Sequence, residues 1–167
     1  MLNSLRKSEN ARRTASSLHA AIVARARAPA FYAELGVADS VDGRFDLIAL
    51  HAWLVLERLR AARLNDLSQA LTDALFVGFD EGLRDLGAGD MGLGRRMKKV
   101  ADAFYGRLKV YGESADEAAM GAALARNLYR GAQCGRVTDV ARYVLAAKEH
   151  LAHADVASGI VDFGPLP

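Results

Sequence analysis

The sequence predicts an all-α protein, a single-domain bundle of about six helices with a basic N-terminal helix. Three observations carry that reading. Apolar residues recur at helical spacing along nearly the whole chain, and no stretch alternates as a strand would. Alanine, leucine and arginine, the strongest helix formers, are abundant, while prolines number only three. The 167 residues suit one domain and are enough to bury a core.

The first helix is expected from about Glu9 to Arg27, with Pro29 ending it. Residues 1–28 hold six Lys/Arg against one acid, Glu9, a local +5 that leaves −3 on the rest of a +2 chain. They read as a basic helix or arm, 29–154 as the main helical domain and 155–167 as a tail. A basic amphipathic start suits anionic lipid or RNA, but no aromatic anchors this one, so a solvated helix face is the plainer reading.

Next comes "PAFYAELGVADSVDG", a connector with one helical turn around Phe31–Leu35 and glycines at 36 and 43. Asp42 is placed to cap the following helix, Arg44 to about Arg63. That helix is apolar on every side from Leu47 to Leu56, which puts it at the centre of the fold. Asn65 is placed to cap a third helix, whose stripe is Leu67, Leu71, Leu75, Phe79, Leu83 and Leu86. Its Gly78 and Gly82 form a G-x-x-x-G, read here as close packing within a bundle because Asp80 and Glu81 lie inside it.

From Gly87 the chain spells G-A-G-D-M-G, the lettering of a dinucleotide loop. Such a loop needs a strand before it, so that phosphate meets the N-terminus of the helix that follows. Here a helix precedes it. Gly87 sits where a C-cap glycine belongs and Asp90 where an N-cap belongs, which makes a helix–helix corner. The fourth helix, about Leu93 to Tyr111, opens with Arg95, Arg96, Lys98 and Lys99. Cations in a first turn oppose the helix dipole, so these four form a candidate basic patch. Ser114–Glu117, "SADE", reads as a capping box for a fifth helix. A sixth follows from Val137 to about Ala154, and the tail is expected to be extended and to pack back.

Catalytic machinery is not legible. There is no G-x-S-x-G, no H-E-x-x-H and no recognisable pair of catalytic carboxylates. His150 and His153 are spaced i, i+3, but a metal site needs further ligands, so no metal and no cofactor is expected. The single cysteine, Cys134, precludes an internal disulfide and suits a reducing compartment. The strongly apolar uncharged run Leu47–Leu56 is ten residues, half of what a bilayer needs, so the chain is expected to be soluble or peripheral to a membrane. His51 is the one polar side chain in that run and must find a partner if buried.

Three segments, in order, resemble a known family. The first is "RAPAFYAELGVADSVDGRFDLIALHAWLVLERLR", Arg27–Arg60. The second is "LTDALFVGFDEGLRDLGAGDMGLGRRMKKVADAFYGRLKVY", Leu71–Tyr111, and the third "AALARNLYR", Ala122–Arg130. Together they are similar to the ubiquinol–cytochrome c chaperones, which assist assembly of the cytochrome bc respiratory complex. The resemblance spans about 29–130. Ala38 departs from it, where a proline is expected before the Asp.

The resemblance implies an all-α domain that binds newly made cytochrome b and catalyses no reaction. Mitochondrial members act near the ribosome exit with a small partner subunit, so ribosome or anionic membrane contact is implied here, with no DNA and no small-molecule substrate. A bacterial, cytoplasmic member at the inner membrane is expected. Phe31, Tyr32, His51 and Tyr105 become client-binding candidates, provided they are exposed. Asp42, Arg44 and Asp46 become structural polar anchors, with Asp80 and Arg84; Arg44 is within reach of a carboxylate such as Asp80. The rival reading is an RNA- or ribosome-binding module using the basic patch, and an enzyme with an unrecognised helical site ranks last.

Overall fold

The computed structural model describes residues 2–87 and 89–166, with the side chains of 2–7, 90 and 91 outside that description. Among the described residues all regular structure is helical. The elements are α1 (Leu2–Ala26), α2 (Pro29–Ala33), α3 (Val41–Ala61), α4 (Asn65–Asp85), α5 (Asp90–Glu113), α6 (Glu117–Asn127) and α7 (Val137–His153), then a 3₁₀ turn at Val156–Ser158. The five-residue α2 is the helical turn expected around Phe31. The other six form the bundle.

α3 runs through the middle and packs against α1, α4, α5 and α7. Leu47 and every residue from Ala49 to Val55 are buried, so an all-apolar helix occupies the one place where every side meets protein. α1 is an integral layer of the fold, because Ala15, Leu18, Ile22 and Ala26 form a helical stripe in the core. Of the cations in the N-terminal segment, Arg12 and Arg13 are exposed, while the side chains of Arg6 and Lys7 lie outside the described residues. The tail packs back as expected, with Val156 and Phe163 buried. The Arg25 guanidinium donates to the Gly164 carbonyl and lies 5.5 Å over the Phe163 ring.

Several expected caps move. Ser40, not Asp42, caps α3: its backbone is extended and its Oγ accepts from the Gly43 N–H at 3.1 Å. Asp42 lands in the first turn, where a negative charge still complements the helix dipole. The shift follows from Gly43, where a Cβ would lie 2.0 Å from the Ala38 carbonyl oxygen. Only glycine lets the connector fold that close. α4 begins at Asn65 with Leu64 at its cap, and α5 at Asp90 with Gly89 at its cap. No capping box forms at Ser114, which donates instead to the Val110 carbonyl at 2.8 Å. Asp116 caps α6 by accepting from the Ala119 N–H at 2.8 Å.

The corner at Gly87 is a helix–helix turn. Gly87 takes φ 81, and a 21-residue helix precedes it where a nucleotide loop would need a strand. The G-x-x-x-G motif divides. A Cβ on Gly78 would meet His19 of α1 at 3.2 Å, whereas one on Gly82 would meet nothing within 4 Å. Gly78 therefore serves packing, and Gly82 does not.

Candidate functional site

The apolar stripe of α4 runs out of the core. Leu67, Leu71 and Leu75 are buried, Phe79 and Leu83 are half-buried, and Leu86 is 56% exposed. The second half of the stripe borders a groove of about 520 Å³ between α3, α4 and α5. Phe45 and Ile48 from α3 and Val100 from α5 complete an apolar lining, and Gly82 leaves its wall low. Phe45 and Phe79 hold the floor together, with ring centroids 5.2 Å apart. From Phe79 an aromatic chain continues through Phe104 and Phe76 to Tyr105, which stacks on Phe76 at 5.8 Å and is 52% exposed.

The margin of the groove is cationic. Arg27, Arg44, Lys99, Arg107 and Arg130 border it, and Asp42 is the one acid among the described residues that does so. Three of these cations are committed elsewhere. Arg107 Nη2 lies 2.6 Å from Asp46 Oδ1, and Arg130 Nε lies 3.1 Å from Oδ2. Arg130 also reaches Asp42 at 3.0 Å. Arg107 further donates to the Ala103 carbonyl and lies 5.1 Å over the Phe45 ring. Burial pushes the Asp46 carboxyl above the usual carboxylate range, and the two guanidiniums pull against that shift. Arg44 pairs at 2.7 Å with Asp39. The expected reach from Arg44 to Asp80 is thus corrected: Asp80 pairs along α4 with Arg84, at the i,i+4 spacing of helix neighbours.

Arg107 and Arg130 are absent from the sequence-based anchors. Nothing in the chain's patterning pairs them with Asp46, because Arg107 lies within α5 and Arg130 beyond α6, and the three meet only through the bundle. Arg130, three residues beyond the end of α6, takes a left-handed φ of 54, uncommon for a residue with a side chain.

Two of the client-binding candidates are withdrawn from the surface. Phe31 and His51 have no exposure, since α2 folds onto α3 and α7. His51 Nδ1 donates to the Leu47 carbonyl at 2.8 Å, which leaves Nε2 to accept from the Tyr143 hydroxyl at 2.8 Å. Phe31 and Phe163 meet the imidazole edge-on at 5.3 and 5.2 Å. Burial lowers its pKa to about 4, so the ring is neutral and structural. Tyr32 is half-buried, its hydroxyl donating to the Ala26 carbonyl at 2.8 Å. Tyr105 alone of the four is largely exposed.

Arg95, Arg96, Lys98 and Lys99 are all exposed, and none makes an ion pair among the described residues. Lys99 is the one that reaches the groove. His150 pairs with Asp162 of the tail at 3.1 Å, and no group of three or more potential metal ligands exists among the described residues. Nor is any helix among them long and apolar enough to cross a membrane.

Comparison with known proteins places this architecture. Among curated proteins nothing matches. Among solved structures, the crystal structure of the Cbp3 homolog from Brucella abortus is 35% identical and superposes with a TM-score of 0.83, covering 98% of each chain. The likeness therefore takes in α1 as well as the helices that follow it. The profile of the family described as Ubiquinol-cytochrome C chaperone matches residues 33–161, further toward the C-terminus than the segments that suggested it. The chain belongs to the ubiquinol-cytochrome C chaperone family.

Proposed function

We propose that this protein is an assembly chaperone that binds newly made cytochrome b, or an apolar segment of it, on the way to the cytochrome bc complex. Family membership supports the chaperone role and the absence of an enzymatic reaction. One structural observation supports the manner of binding. The α4 stripe does not end where its partners within the fold end, but continues through Phe79 and Leu83 to the exposed Leu86 beside an open groove. An apolar groove of this kind is what an apolar helix needs to be held out of water. Aromatic side chains contribute much of the energy at interfaces, so Tyr105 at the end of the aromatic chain is the remaining aromatic contact candidate. Arg95, Arg96 and Lys98 face solvent and favour docking on an anionic surface, ribosomal RNA or the inner membrane, beside which the protein works in the bacterial cytoplasm.

A deletion strain tests the function: assembled cytochrome bc complex falls while unrelated respiratory complexes persist. A photocrosslinking amino acid at Leu86 captures cytochrome b, and one at Ala20 on the outer face of α1 does not. Normal complex levels with no cytochrome b crosslink would overturn the proposal.

A further inference from the structure

We infer that the groove between α3, α4 and α5 selects apolar helices that carry carboxylates beside their apolar stretch. This rests on the reading of the groove as the holding site and adds the chemistry of its occupant. The lining combines apolar side chains, among them Phe45, Ile48, Phe79, Leu83 and Val100, with five cations. Arg44, Arg107 and Arg130 are already matched with Asp39, Asp46 and Asp42. Two cations are left over. The side chains of Arg27 and Lys99 make no ion pair or hydrogen bond among the described residues, although both border the groove. They come from different elements, Arg27 just beyond α1 and Lys99 on α5. An apolar helix with acidic flanks meets both, and one with basic flanks meets like charge at both.

Charge at a groove margin discriminates between partners more than it adds affinity, because like-charge contact is penalised directly. The occupant is a helix because the groove is bordered by packed helices and its lining is side chains. Strand addition would require an unpaired sheet edge, and the described residues contain no strand.

The experiment uses the full chain and three fluorescent helical peptides with one leucine-rich apolar face, flanked by Glu, Gln or Lys. The Glu-flanked peptide binds at least tenfold tighter than the Gln-flanked one at low salt, and the Lys-flanked peptide binds weakest. The preference shrinks as salt rises, while the apolar contribution persists. Arg27→Gln with Lys99→Gln removes the preference and keeps binding of the Gln-flanked peptide. Arg27→Glu with Lys99→Glu reverses the order. Gly82→Trp, at an open position of the wall, blocks all three peptides. Circular dichroism confirms that each variant is folded.

Equal binding of the three peptides, blocked by Gly82→Trp, would overturn the selectivity and leave the groove as the holding site. Loss of the preference on Arg95→Gln with Arg96→Gln, but not on the Arg27 and Lys99 changes, would also overturn it. So would displacement of all three peptides alike by phosphatidylglycerol vesicles, the outcome expected of a membrane-binding face. Binding that Gly82→Trp leaves intact would overturn both the selectivity and the groove.

Discussion

Arg107 of α5, which borders the groove, and Asp46 of α3 meet at 2.6 Å, with the carboxylate fully buried and the guanidinium nearly so. The pair ties the start of the central helix to the middle of α5, and Arg130 closes it from beyond α6. Removing the carboxylate strands a cation where water is scarce, which is costlier than the pair itself is worth. Asp46→Ala is expected to lower unfolding free energy by about 3 kcal/mol. Asp39→Ala, which breaks the exposed partner of Arg44, should barely shift the urea midpoint. Equal midpoints for the two variants would refute the anchoring role of Asp46.

His51 makes stability depend on pH. Its folded pKa of about 4 lies below the 6.5 of an unfolded histidine, because burial disfavours the charged ring. The folded state therefore binds fewer protons than the unfolded state between these values, and stability falls as pH drops through that window. Above 6.5 the contribution is complete; below 4 no more is lost. The total is about 3 kcal/mol. Denaturant titrations of wild type and His51→Phe from pH 7.5 to 4 should differ by a slope confined to that interval. His19 is also lowered by burial, so the difference between the two proteins isolates His51.

Two glycines that look alike in sequence should respond in opposite ways. At Gly43 an added Cβ would run into the Ala38 carbonyl, so Gly43→Ala must push the connector away and cost about 3 kcal/mol, or abolish folding. At Gly82 the space is open, and alanine in a helix interior gains about 0.5–1 kcal/mol. Thermal melts of the two variants should move to either side of wild type.

Ser40→Ala deletes the hydroxyl that accepts from the Gly43 N–H and is expected to cost about 1 kcal/mol. Asp42→Ala leaves that cap intact and loses a half-exposed link to Arg130 and a first-turn charge on the helix dipole, together expected to cost less than the cap. Calorimetry in which Asp42→Ala proves the more damaging of the two would return the cap to Asp42.

The legible and illegible parts of the site divide along physical lines. The α4 stripe could be read because helical spacing is written in the sequence, and all six of its positions lie on one face. That its second half borders a groove could not be read, since this depends on how far α3 and α5 diverge. His51 shows the same limit. Its place in an apolar run marked it as buried or functional, and only the Tyr143 hydroxyl, 92 residues away in sequence, decided for the core. The cap of α3 moved two residues because a capping side chain needs an extended backbone, and the Gly43–Ala38 approach sets where that backbone lies.

By itself the sequence determined the all-helical class, the central position of α3, the corner at Gly87 and the family pattern. These rest on local chemistry: periodic burial, turn-forming glycine and residue order. Tertiary structure alone decided which cations are neutralised and which are left over. Asp46 takes Arg107 and Arg130, Asp39 takes Arg44, and Arg27 and Lys99 are left at the groove. An ion pair needs its charges within about 4 Å, so it is settled by which side chains the fold brings together, and for partners on different helices spacing along the chain does not record that.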